Sequence, residues 1–116
     1  MIQKGYGRMA SKPEFVEFVA DQLRNAGVIT YRKMFGEYGL YCDGKIFALI
    51  CNDQLFIKIT NAGRKLCPDL QEAPPYQNAK NYFIIEDVEN QEFLTRLVIA
   101  TCAELPVPKP KERRKE

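Results

Sequence analysis

The chain has 116 residues, 46% of them apolar and 28% charged, the balance of one soluble globular domain with a modest core. Its formal charge is only +2, so the body is not a basic nucleic-acid binder by composition. There is no histidine, and no run reaches the roughly 18 apolar residues that span a bilayer, which excludes histidine catalysis and a membrane-spanning helix.

Residues 1–10 hold two glycines, show no periodicity and read as a flexible lead-in. They lack the apolar stretch of a secretory signal, so the cytoplasm is the expected location. Ser11-Lys12-Pro13-Glu14 predicts a helix start, with Ser11 as the cap and Pro13 tolerated early. Phe15, Phe18, Val19, Gln22, Leu23 and Ala26 then follow at helical spacing, and Gly27 suits a left-handed end.

From Val28 the pattern changes to short runs of period two. Ile29–Phe35 predicts a first strand, Gly36-Glu37 a turn and Tyr38–Cys42 a second strand. Asp43-Gly44 is a hairpin signal, since both central residues of a tight primed turn need positive φ. Lys45–Cys51 is almost wholly apolar and predicts a central strand covered on both faces. After Asn52-Asp53, Gln54–Thr60 predicts a fourth strand with Leu55, Ile57 and Ile59 inward and Phe56 on the outer face.

Asn61 is the expected cap of a short helix through Leu66, which Pro68 stops. Residues 68–79 read as a loop and Asn81–Glu86 as a fifth strand. Asp87 is the expected cap of a last helix through Leu105, with Phe93, Leu94, Leu97, Val98, Thr101 and Leu105 on one side. Pro106, Pro108 and Pro110 forbid more helix, so 106–116 reads as a disordered charged tail. The expected fold is α+β: a single, mainly antiparallel five-stranded sheet with helices packed on it, order α-β-β-β-β-α-β-α, in one domain spanning 11–105.

Chemistry is sparse in this sequence. Cys42, Cys51, Cys67 and Cys102 form no C-x-x-C pair, so they read as reduced, core-filling thiols. Asp43 and Asp53 lie in turns, and Glu86 and Asp87 lie where a strand ends and a helix starts; each has a structural reading. Gly36-Glu37-Tyr38-Gly39 joins two strands and is no strand-to-helix phosphate loop. The expectation is a protein that is not an enzyme, with no catalytic residue, no cofactor and no metal.

What the structural roles leave over is Arg32, Lys33, Met34, Phe35, Tyr38 and Tyr41, a cationic and aromatic set that forms the candidate interaction surface. The stretch Lys109–Glu116 carries five positive and two negative residues, a net +3, which leaves −1 for the rest. Lys109, Lys111, Arg113, Arg114 and Lys115 are therefore the candidate nucleic-acid contacts. Edge strands also make a homodimer a candidate assembly.

The run Arg32-Lys33-Met34-Phe35-Gly36-Glu37-Tyr38-Gly39-Leu40-Tyr41, then Asp43–Ile50, then Asp53–Lys58, resembles the N-terminal domain of the TfoX/Sxy family. The resemblance covers roughly residues 8–105. Glu37 stands where the family pattern has a second glycine, and Phe56 replaces a usual tyrosine. Longer members, the competence regulators, carry a second domain, so this chain reads as a stand-alone N-terminal domain. The resemblance implies a non-enzymatic module of transcription regulation with a protein partner, such as the cyclic-AMP receptor protein at competence promoters. It implies no cofactor and no membrane contact. The alternative is direct nucleic-acid binding of the MmcQ/YjbR type through the Arg32 region and the basic tail.

Overall fold

The computed structural model describes residues 11–34 and 37–107. Its helices are α1 (Pro13–Gln22), α2 (Asn61–Leu66) and α3 (Gln91–Glu104), with a 3₁₀ turn at Arg24–Ala26. Its strands are β1 (Ile29–Met34), β2 (Glu37–Cys42), β3 (Lys45–Cys51), β4 (Gln54–Ile57), β5 (Glu72–Ala73) and β6 (Tyr82–Ile85). The lead-in 1–10, Phe35-Gly36 and 108–116 lie outside the described residues, and with them the candidate tail contacts Lys109, Lys111, Arg113, Arg114 and Lys115.

All strands join one antiparallel sheet in the order β1-β2-β3-β4-β6-β5. The expected class, α+β with helices on a single sheet, is what the chain adopts, but the sheet has six strands rather than five. The extra strand is Glu72–Ala73, which pairs with Phe83 and Tyr82 inside the segment expected to be loop. Two residues are too few to show period two, so its strand character comes from its partner and not from its own pattern.

The hairpin turns are set by local backbone chemistry. Asp43 and Gly44 have φ of 51° and 85°, and Asn52 and Asp53 have 54° and 59°. These are the paired positive values of a primed two-residue turn, and Asn, Asp and Gly tolerate them best. The Asp43 side chain also accepts the Val28 amide at 3.0 Å, tying the turn to the start of β1.

Register then decides which residues share a face. Tyr38, Ile50, Leu55 and Ile85 form one cross-strand row, and Leu40, Ala48, Ile57 and Phe83 form the next. These rows pack with Val16, Val19 and Leu23 at the N-terminal end of the chain and with Leu94, Leu97 and Val98 of α3 in one buried cluster. The helices of the described residues therefore cover a single face. Burying twelve large side chains of this kind is the main stabilising term, at roughly 1.5–3 kcal/mol each before entropy is charged against it.

Helix ends depart from expectation in instructive ways. Ser11 does not cap α1; Lys12 holds the cap position without a side-chain bond, and the Ser11 hydroxyl turns toward the sheet instead. The helix also stops at Gln22, and Gly27 has a positive φ outside the left-handed helical region (φ 156°, ψ −163°). At the other two helices the cap is one residue before, or three after, the expected one. Thr60 accepts the Gly63 amide at 3.0 Å, and Asn90 accepts the Phe93 amide at 3.2 Å. Asp87 bonds the Glu89 amide in a local turn. No helix among the described residues is long and apolar enough to cross a membrane.

Candidate functional site

The helix-free face of the sheet carries Arg32, Gly39, Leu49, Phe56 and Ile84 in one cross-strand row, with Thr30, Tyr41 and Ile46 beside it. Alternation along the strands puts these residues opposite the core. Phe56 and Cys51 are buried on this side and lie outside the helix-covered cluster, while Met34, Tyr41, Ile46 and Leu49 stay half-exposed. Gly39 leaves room for its neighbours: a Cβ there would meet the Met34 Cε at 2.8 Å and the Ile46 Cδ1 at 3.1 Å. Met34 and Ile46 thus close over the glycine and make a continuous apolar strip.

The expected interaction set divides across the sheet. Arg32, Met34 and Tyr41 share the helix-free face, with Arg32 exposed at the sheet edge. Lys33 is exposed but pairs with Tyr38 on the opposite face. Tyr38 is a correction: it is buried in the core, because its parity in β2 aligns it with Leu40 and Cys42. Its ring meets Tyr31 edge to face, with centroids 6.0 Å apart. Phe35 lies outside the described residues.

Ile46 and Leu49 complete the strip and were missed, since a strand expected to be covered on both faces offers no surface residue. The signal was present in the alternation of β3 once β2 fixed which side was core. A second feature missed by the sequence reading is a cleft lined by Lys58, Arg64 and Lys80, residues far apart in the chain.

The thiols are chemically quiet. Burial pushes Cys102 up to about 12, with the neighbouring Cys42 adding to it, and pushes Cys51 up to about 11, with Glu37 adding. Burial raises Cys42 and Cys67 too. All four are therefore protonated at neutral pH, whereas the thiolate is the nucleophile and the metal ligand. Among the described residues, no three His, Cys, Asp or Glu side chains gather into a group that could hold a metal ion.

An antiparallel sheet with one helix-covered face and one mixed apolar and cationic face defines a small α+β domain. Within that class its family is explicit: residues 21–104 match the model of the TfoX N-terminal domain, and the chain belongs to that family. It is similar to an uncharacterized 12.7 kDa protein in the trpE 5′ region of Spirochaeta aurantia, 35% identical over 105 residues, which are 90% of this chain and 91% of the relative.

Proposed function

We propose that this protein is a non-enzymatic interaction module in transcription regulation, docking a protein partner on the helix-free face of the sheet. The observation that carries this reading is the strip of half-exposed Met34, Ile46 and Leu49 around the buried Gly39, flanked by Arg32 on the outer strand. Apolar area with an arginine at its margin is the composition of an interface centre. The partner that fits is a protein with an apolar patch bordered by carboxylates, since neither Arg32 nor Lys33 has an ion-pair partner among the described residues. Membership of the TfoX N-terminal domain family supports a regulatory setting.

The test uses the full chain and purified cyclic-AMP receptor protein, the partner that the family resemblance suggests. Binding is measured by calorimetry for wild type, Arg32→Glu and Leu49→Lys, with circular dichroism as the check of fold. Binding that is lost in both folded variants supports the reading. Equal binding by all three moves the interface off this face, and no binding overturns this choice of partner. Self-association detected by sedimentation and abolished by Leu49→Lys would assign the face to a second copy of the chain.

A further inference from the structure

Three cations converge on a half-open cleft of about 510 Å³ at the end of the sheet away from β1. Lys58 comes from just past β4, Arg64 from α2, and Lys80 from the segment before β6. Tyr82 and Leu105 supply apolar wall. Among the described residues Glu72 is the single carboxylate in the lining, and Arg64 already holds it at 3.4 Å.

Lys58 and Lys80 have no carboxylate at ion-pair distance among the described residues. Lys58 is half-buried, and burial together with the charge of Lys80 pulls its ammonium below the ordinary lysine range. Two like charges facing one partly desolvated space repel, and an anion placed between them reverses both the repulsion and the desolvation cost. Among the described residues, three cations against one carboxylate leave an excess of two positive charges. That excess matches a phosphate monoester, which carries about −1.5 to −2 at neutral pH, better than a single carboxylate. The volume lies within the roughly 300–1,000 Å³ of small-molecule sites, so an organic group fits beside the phosphate against Tyr82 and Leu105.

We propose that this cleft binds a small phosphorylated ligand, with Lys58 and Lys80 holding the phosphate group and Arg64 bordering it. The site is separate from the helix-free face and does not depend on the protein-docking reading.

The experiment titrates the full chain at low salt with adenosine monophosphate, glucose 6-phosphate and inorganic phosphate, followed by amide NMR and calorimetry. A short single-stranded oligonucleotide is titrated in parallel. Shifts confined to the surroundings of Lys58, Lys80 and Tyr82, with affinity for a phosphomonoester lowered about tenfold or more by Lys58→Gln or Lys80→Gln, support the proposal, as does recovery in Lys58→Arg. Lys80 is exposed, so Lys80→Gln remains informative even where Lys58→Gln does not fold. Failure of all three small anions to bind overturns the proposal. Binding of the oligonucleotide alone also overturns it, and makes the cleft part of a polynucleotide surface. Phosphomonoester binding that both variants leave unchanged places the anion elsewhere and overturns it too.

Discussion

The Ser11 hydroxyl donates to the Glu37 carboxylate at 2.7 Å and accepts the Asp53 amide at 2.9 Å, so one side chain ties the entry of α1 to the β3–β4 turn. Asp53 answers by accepting the Lys12 amide at 2.8 Å, and Glu37 also faces the Asn52 amide. Glu37 stands where the family pattern has glycine, and here it fastens three segments rather than loosening a turn. Ser11→Ala and Glu37→Gly should each lower stability by about 1–2 kcal/mol, since a charge-assisted bond is lost and its partner left unpaired. The double variant should lose clearly less than the sum, because both changes break the same bond. Urea midpoints of the four proteins check this; full additivity would show that the two residues act independently.

The Tyr31–Tyr38 pair separates core from surface at the sheet edge. Tyr38 is 8% exposed and Tyr31 39% exposed, with their planes at 73°. Tyr38→Ala should cost about 3 kcal/mol, the lower end for truncating a buried aromatic ring. Tyr31→Ala should cost about 1 kcal/mol, mostly the edge-to-face contact. Thermal or chemical denaturation measures both. Equal small losses would show that Tyr38 contributes no more than a surface ring, and the core assignment would fail.

Gly27 is fixed by space as well as by backbone. A Cβ there would lie 2.6 Å from the Cys42 sulfur and 3.0 Å from an Asp43 carboxylate oxygen, at a φ of 156°. Gly27→Ala should destabilise the fold by about 2 kcal/mol or more. Gly39→Ala makes a useful contrast, because the atom it would meet is the flexible end of Met34. It should cost less, so the ranking of the two midpoints, Gly39→Ala above Gly27→Ala, is the readout.

Much of this fold was legible because it is written in local chemistry. Asp43-Gly44 and Asn52-Asp53 announce their turns, and β3 announces its interior place by being apolar after Lys45. The closing helix buries Leu94, Leu97, Val98 and Thr101, as its spacing predicts. What was not legible depends on residues distant in sequence. Ser11 satisfies every local rule for a cap, yet a carboxylate 26 positions away is the stronger partner. Tyr38 could be assigned to core or surface only after the register with β3 fixed its parity. Phe56 reads as an exposed exception, but Leu49 and Ile84 flank it on the helix-free face and it is buried there. Lys58, Arg64 and Lys80 share no motif, and only the return of β5 and β6 to the sheet brings them to one cleft.

The desolvated thiols give the protein an alkaline limit. Cys51 and Cys102 are pushed up to about 11 and about 12 from an ordinary 9.0, chiefly by burial. The folded chain thus keeps protons that the unfolded chain releases, so unfolding is favoured as pH rises. The stabilising contribution is complete below pH 9.0 and is lost as pH climbs through about 11 and about 12. Tyr82, raised by burial from 10.0, adds in the same direction. Lys58 opposes it: lowered below 10.5, it favours the fold more as pH rises toward that value. With Cys42, Cys67, Cys51, Cys102 and Tyr82 all raised against one lowered lysine, the net slope should be downward above pH 9.0. Urea midpoints measured from neutral to alkaline pH should fall in that window, and Cys102→Ala should fall less steeply than wild type. Iodoacetamide at neutral pH should label Cys42 and Cys51, both buried, far more slowly in the native chain than in the unfolded one. Rapid native labelling of the buried Cys51, or a midpoint flat across the window, would contradict the shielded, protonated state.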